Sequence, residues 1–354
     1  MRNKVPGPLA RQRALEQAQA KLYSIAGGSI DSGNVRLSSL TTWQRIEYFK
    51  TSEFRRWVKI EQAAGNEIFW LKDVDKTQGA GDVFTFFFKY RADNQLFSTQ
   101  QLGVVQDFVR AKRQQAGLKR TPHIIRAPEA VVDMFRSKLD GQPGIGLLEF
   151  WSTFWASQIG LTREEKLRHV NAFAPLYVDK IYPGVAEENR LLEQLGVHVV
   201  IVSNGDQDVA IAIAPYLGIK PENVVGSHLI YDANGIATGI NHTYEVFGKE
   251  WEERPQPGKA LSFHYWAHVN RARFGWKTLD HRKMIIAGRD GDSASSDGGM
   301  MIYLEPPALG NFMVDTPGEP DRILKFYPVA AKYGTTRGQF FTLKQAASLS
   351  GAHP

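Results

Sequence analysis

The stretch Ile68-Phe69-Trp70-Leu71-Lys72-Asp73-Val74-Asp75-Lys76-Thr77 decides how this chain is read. Its first four residues are apolar and have the length of a buried strand. Two aspartates, two residues apart, follow where the strand stops. That spacing lets both carboxylates face one side while Val74 turns away. Two further segments repeat the layout. Val197–Val202 (VHVVIV) runs into Ser203-Asn204-Gly205, and Met284–Ala287 (MIIA) runs into a Gly/Asp/Ser loop holding Asp292 and Asp297. Lys259 lies between them in a Pro257-Gly258-Lys259 turn.

Helical stretches separate these strands. Val185–Leu195 is closed by Gly196, and Gln207–Leu217 by Gly218. Val224-Val225 and Phe312-Met313-Val314 read as further short strands. Strands alternating with helices predict a Rossmann-like α/β fold with a parallel sheet and right-handed crossovers. Ligands of such sheets sit at the carboxyl ends of the strands. If these strands are neighbours, Asp73, Asp75, Asp292, Asp297, Ser203 and Lys259 share one edge. Clustered carboxylates do not stay ionised together without a cation. Oxygen-only ligands favour Mg²⁺, which commonly takes one or two carboxylates plus substrate phosphate. One carboxylate can attack phosphorus and a second can serve as general acid and base. A Lys and a Ser suit the transferring phosphoryl oxygens.

The remaining chain divides around this core. Pro8–Tyr23 reads as a polar helix, followed by a Gly/Ser linker at 27–33. Trp43, Ile46, Phe49, Phe54, Trp57, Val58 and Ile60 give residues 41–64 a helical period. From Val83 to Ile181 three apolar stripes recur at helical spacing, and Thr162 with Glu165 forms a capping-box signal. The predicted division is an N-terminal arm and helix at 1–64, a core at 65–82 and 183–330, a helical insertion at 83–182 and a tail at 331–354.

Composition narrows the function classes. The 354 residues include no cysteine, which excludes disulfides, thiolate catalysis and Cys-based metal sites. No apolar run reaches the ~20 residues of a membrane-spanning helix. The net charge is +6. Its basic residues are scattered, with local patches at Arg110, Lys112 and Arg113 and at Lys119 and Arg120. Solvated helix faces account for these better than a nucleic-acid footprint, so no nucleic-acid partner is expected. The first 21 residues lack the apolar core of a secretory leader. As written, the sequence suits the cytoplasm; a leader ahead of Met1 would make it periplasmic or secreted. Oligomeric state is left open.

With these residues in view, the chain resembles the haloacid dehalogenase superfamily. Phe69–Thr77 (FWLKDVDKT) looks like its first motif, Asp-x-Asp-x-Thr after an apolar strand. Val199–Gly205 (VVIVSNG) looks like the second, Lys259 matches the third, and Met284–Asp297 (MIIAGRDGDSASSD) resembles the fourth. An insertion between the first two motifs is like the helical cap of the phosphoserine-phosphatase-like group. The five-residue step from Asp292 to Asp297, then Gly298, Met300 and Met301, is similar to bacterial phosphorylcholine phosphatases. The resemblance implies an Mg²⁺-dependent phosphatase acting on a small phosphorylated metabolite. By that resemblance, Asp73 is nucleophile and metal ligand. Asp75 is general acid and base and gives its carbonyl to the metal, and Asp292 completes the metal set. Thr77 orients the loop and, with Ser203, Asn204 and Lys259, binds the substrate phosphate, Ser203 and Lys259 holding the phosphoryl oxygens; Asp297 sits nearby as their support or orients Lys259.

Two residues depart from the pattern. Lys72 stands where the superfamily has an apolar residue, and Lys76 where it has Gly or Asn. Either ammonium is expected to strengthen phosphate binding or lower neighbouring carboxylate pKa values. Simpler readings exist beside each feature. Ser203-Asn204-Gly205 suits a turn. Asp290 and Asp292 suit a calcium loop, although the later Glu of an EF-hand is missing. His264 and His268 are at i, i+4 without the Glu of a zinc-protease motif. Phe84, Phe86–Phe88, Phe150, Trp151, Phe154 and Trp155 read as core; the sharper alternative is a cation–π cage for a quaternary ammonium. Phosphoserine or another small phosphate ester is the alternative substrate, and a non-catalytic basic binding protein the alternative of another class.

Overall fold

The computed structural model describes residues 5–26, 38–117, 123–139, 144–241, 258–293, 296–305, 307–314 and 340–344. The linker at 27–33, Lys119, Arg120, Pro257, the stretch 315–339 and the tail beyond 344 lie outside the described residues. In chain order the first elements are α1 (Pro8–Ile25), β1 (Ser38–Thr41), α2 (Thr42–Lys50), α3 (Ser52–Ala63) and β2 (Glu67–Lys72). Then follow α4 (Val83–Asp93), α5 (Thr99–Gln115), α6 (Ala127–Leu139), α7 (Leu147–Ala156), α8 (Arg163–Phe173) and α9 (Val185–Gln194). The rest are β3 (Val197–Asp206), α10 (Gln207–Ile213), β4 (Val224–Tyr231), β5 (Ala237–Asn241), α11 (Gly258–Asn270), β6 (Met284–Gly291), α12 (Gly298–Tyr303), β7 (Gly310–Val314) and β8 (Phe340–Lys344). The chain forms two compact bodies.

The first body holds the described residues of Met1–Gly81, Val178–Gly226 and Thr243–Pro354. Its strand order is β1-β8-β7-β6-β2-β3. Each neighbouring pair from β1 to β3 is parallel. The central strand β2 is buried along Ile68–Lys72, as a parallel strand covered on both faces must be. Phe69 and Leu71 face a core shared with Val200, Val202, Phe263, Trp266 and Met300. Trp70 faces the other side, 5.1 Å from Phe49 and stacked 5.3 Å from Phe312. Gly288 on β6 is the space this indole needs, since a Cβ there would lie 2.5 Å from the ring. Each such buried side chain contributes about 1.5–3 kcal/mol of transfer free energy.

Residues 41–64 are two helices. Thr51 is extended between them, and its Oγ1 accepts the Phe54 N–H to start α3. Thr41 and Gln44 cap α2 reciprocally. The strands run longer than their apolar cores suggested: Ser203-Asn204-Gly205 continues β3 and is not a turn. Strands β1 and β8 were not predicted.

The second body holds Asp82–Tyr177 and the described residues of Ser227–His242. Its centre is aromatic, with Phe84, Phe87, Phe88, Phe150 and Phe154 fully buried. The hairpin β4–β5 joins it through Gly160 N–H to the Ala237 carbonyl (2.8 Å) and Arg163 N–H to the Gly235 carbonyl (2.9 Å). Of this hairpin the sequence predicts only the short strand Val224-Val225, and those two residues lie in the first body. Gly226, Ser227 and His228 interrupt its apolar run and concealed its length.

Candidate active site

The site forms where β2, β3 and β6 end on one edge. The register pairs Lys72 with Ile201 on β3 and with Asp290 on β6. Asp73 is therefore the first residue beyond the ladder on one side, and Ser203 is two residues beyond it on the other. Both ends of Asp73 are tied down. Its N–H donates to the Asp290 carbonyl at 3.0 Å, and its carbonyl accepts from Gln78 Nε2 at 2.9 Å. Asn189 Nδ2 in turn donates to Gln78 Oε1 at 2.9 Å. Beyond Asp73 the chain turns tightly, with Gln78 N–H on the Val74 carbonyl and Thr77 N–H on the Asp75 carbonyl. Lys76 sits at φ 52°, the left-handed region that favours Gly or Asn. That accounts for the residue types the superfamily pattern has there.

Lys259, in the first turn of α11, is 2% exposed and reaches across to Asp73 Oδ1 at 2.5 Å. It also pairs with Asp297 Oδ1. The other Asp297 oxygen accepts the backbone N–H groups of Asp292 (2.8 Å) and Ser293 (3.0 Å), which folds the loop over it. Gly291 makes room for this: a Cβ there would lie 2.5 Å from Asp297 Cβ. Oxygens of Asp73, Asp292 and Asp297 come within 4.8 Å of one another. Lys76 Nζ stands 3.9 Å from Asp292 and is half exposed.

The electrostatics follow from three enclosed carboxylates beside one enclosed ammonium. Burial, then Asp297, pushes the Asp73 carboxyl up to about 7 despite Lys259. Burial, then Asp297 and Asp73, holds Asp292 well above the usual carboxylate range. Burial opposes the charge on Lys259, but Asp297 and Asp73 outweigh it and raise its pKa. A divalent cation is the group that would relieve the excess negative charge, and an all-oxygen donor set suits Mg²⁺.

The structure thus brings Asp73, Lys259, Asp292 and Asp297 together. Asp75 is half-buried on the following turn and is not one of the three clustered carboxylates, whereas Asp297 is. Its main-chain carbonyl accepts the Thr77 N–H at 2.5 Å. Thr77 and Ser203 are buried, with Ser203 Oγ accepting the Gly205 N–H at 2.9 Å, and Asn204 is half-buried.

The expectation for Lys72 is corrected, whereas the readings of the histidines and the aromatic rings as packing residues hold. Lys72 does not face the carboxylate cluster. It points to the opposite face of the sheet, 2.5 Å from Glu188 and 3.2 Å from Asp290, because alternate strand residues face opposite ways. Asp290 belongs to that same opposite face, bound twice by Arg45 Nη1 at 2.8 Å, so no calcium loop forms with Asp292. His264 lies against the His281 ring at 5.0 Å, and no cluster of histidine ligands exists among the described residues. The aromatic residues of the second body pack on one another, with Phe135 and Phe150 stacked at 4.7 Å and Trp151 edge-on to Phe154 at 5.3 Å. Lys166 already covers the Phe87 face at 5.0 Å and Arg91 the Phe97 face at 4.2 Å. These rings are core rather than a cage. Gln78, Asn189, Glu188 and Arg45 were not anticipated, nor was Asp290 in this role; they come from segments far apart in sequence, with no shared spacing to reveal them.

No family profile and no curated protein matches the chain. Solved structures do align, at low identity. A protein of unknown function from Bordetella pertussis Tohama I is 12% identical, covers 78% of this chain and 98% of its own, and has a TM-score of 0.49. One from Anaerococcus prevotii DSM 20548 is 13% identical over 78% and 85%, with a TM-score of 0.45. A phosphoserine phosphohydrolase-like protein from Francisella tularensis is 13% identical over 80% and 96%, with a TM-score of 0.39.

Proposed function

We propose that this chain hydrolyses a small phosphate monoester through a phospho-aspartate on Asp73. The observation that carries the reading is one cluster: Asp73 held at both ends of its peptide unit, Lys259 on its carboxylate, and Asp292 and Asp297 within ligand distance. Asp73 and Asp292, with the Asp75 carbonyl, would hold Mg²⁺. When bound, the cation supplies positive charge to the phosphoryl oxygens.

The chain's own residues do the rest. Asp73 attacks phosphorus, and the ester P–O bond breaks as the carboxylate P–O bond forms. Asp75 gives its proton to the leaving alkoxide. It then takes a proton from water as that water attacks the phosphoryl group, which frees Asp73 and releases phosphate. Lys259 and Ser203 hold the phosphoryl oxygens. Asp297 holds Lys259 and the Asp292 loop in place.

Phosphorylcholine is the substrate proposed first, because the spacing from Asp292 to Asp297 resembles that of bacterial phosphorylcholine phosphatases; phosphoserine and other small esters are the alternatives. A panel of these esters and p-nitrophenyl phosphate, with and without Mg²⁺, tests the reading. Mg²⁺-dependent release that Asp73→Asn abolishes supports it. No release from any ester by folded, Mg²⁺-loaded protein overturns it in favour of a binding role.

A further inference from the structure

Directly behind Asp73, on the opposite face of the sheet, four charged side chains form a closed buried set. Arg45 comes from α2, Lys72 from β2, Glu188 from α9 and Asp290 from β6. Each is at most 1% exposed. Arg45 bridges the two carboxylates, with Nη1 2.8 Å from both Asp290 oxygens and Nη2 2.8 Å from Glu188. Lys72 bridges them again at 2.5 and 3.2 Å. Trp70 Nε1 adds a donor to Asp290 at 2.8 Å. The charges cancel, two against two.

Such a set is a poor device for stability alone. Well-packed apolar residues of similar volume commonly serve as well or better. What it supplies is direction, because a guanidinium fork and hydrogen-bonded carboxylates fix their partners in angle as well as distance. Its two inner members are also tied to the candidate nucleophile. Lys72 is the residue before Asp73, and Asp290 is the residue whose carbonyl holds the Asp73 N–H. Glu188 is followed by Asn189, which orients the Gln78 amide on the Asp73 carbonyl.

We propose that Arg45, Lys72, Glu188 and Asp290 are positioning residues that clamp the main chain of Asp73 from behind, with Arg45 making helix α2 a working part of the site. The kinetic half of the claim rests on the phosphatase reading; the clamp itself does not. Arg45→Lys keeps the charge and loses the fork. Paired Lys72→Met and Glu188→Gln remove one charge of each sign. Glu61→Gln is the control for general destabilisation. Its carboxylate accepts from Arg11 and Asn66 at 2.8 and 2.7 Å and touches nothing at Asp73.

Amide hydrogen exchange at Asp73 in the full chain reads the clamp. Arg45→Lys is expected to speed it about tenfold or more while Glu61→Gln does not. In phosphate release, kcat is expected to fall about tenfold to a hundredfold with KM within about twofold, since a displaced nucleophile slows chemistry more than binding. Unchanged exchange and kcat in folded Arg45→Lys overturn the proposal. So does an equal response to Glu61→Gln. If Arg45→Lys does not fold, the paired variant is read by the same criteria. Failure of both to fold assigns the set to the fold and overturns the clamp. If wild type releases no phosphate, the phosphatase reading fails and exchange alone decides.

Discussion

Raising the pH without divalent cations should weaken this protein through its buried carboxylates. Asp73 is enclosed, and its carboxyl is pushed from 3.8 up to about 7, first by burial and then by Asp297. An unfolded chain releases that proton near 3.8. Between the two values the folded state holds a proton that the unfolded state lacks. Stability therefore falls as pH rises through the window and levels off above about 7. From about pH 5 to about pH 8 the unequal titration spans roughly two units, or about 3 kcal/mol at 1.36 kcal/mol per unit. Asp292 is raised by burial, then by Asp297 and Asp73, and adds to the fall. His169 acts the other way, since burial and then Arg91 hold its imidazole down at about 4. That stabilising rise ends near its ordinary 6.5. Urea unfolding in chelator across this range, for wild type and Asp73→Asn, isolates the effect by subtraction. Wild type should lose about 3 kcal/mol relative to the variant between the two ends. Added Mg²⁺ should restore wild type near pH 8, do little near pH 5, and do little to the variant. A wild-type-minus-variant difference that stays level or rises with pH would refute the reasoning.

The other expectations follow from the same contacts. Gly291→Ala places a Cβ 2.5 Å from that of Asp297, so Asp297 must leave Lys259; kcat should fall about a hundredfold, read by phosphate release. With p-nitrophenyl phosphate, whose leaving group needs no proton, Asp75→Asn should let the first transfer proceed and slow the second, so acid-quenched enzyme should carry more bound phosphate than wild type. Asp206→Ala removes the oxygen that accepts the Asp208 and Val209 N–H groups at the start of α10, and should cost about 1 kcal/mol in urea unfolding with KM unchanged.

Much of the core was legible because parallel strands covered on both faces read as unbroken apolar runs. Ile68–Leu71 and Val197–Val202 are such runs, and each ends on the residue types the site needs. Strand β1 (SSLT) escaped because it is short and mostly polar, and β8 (FFTLK) because nothing around it resembles a βα unit. The β4–β5 hairpin carried its turn signal, Asp232-Ala-Asn-Gly235, but its strands lack a clean alternation. Lys72 shows the limit of local reading. Its neighbour in sequence is Asp73, yet strand geometry sends it to the opposite face. Its partners Glu188 and Asp290 lie more than a hundred residues away. Nor does spacing reveal that Asp297, rather than Asp75, completes the group of three carboxylates.

Asp73 as nucleophile predicts a covalent phospho-enzyme. Wild type turning over a phosphate ester with Mg²⁺ should be acid-quenched, digested and searched by mass spectrometry for the peptide around Trp70–Asp75. The expected result is one phosphoryl group on Asp73, absent from Asp73→Asn and absent when Mg²⁺ is chelated. Phosphate release that continues in Asp73→Asn, or a phosphoryl group on any other residue, would contradict it.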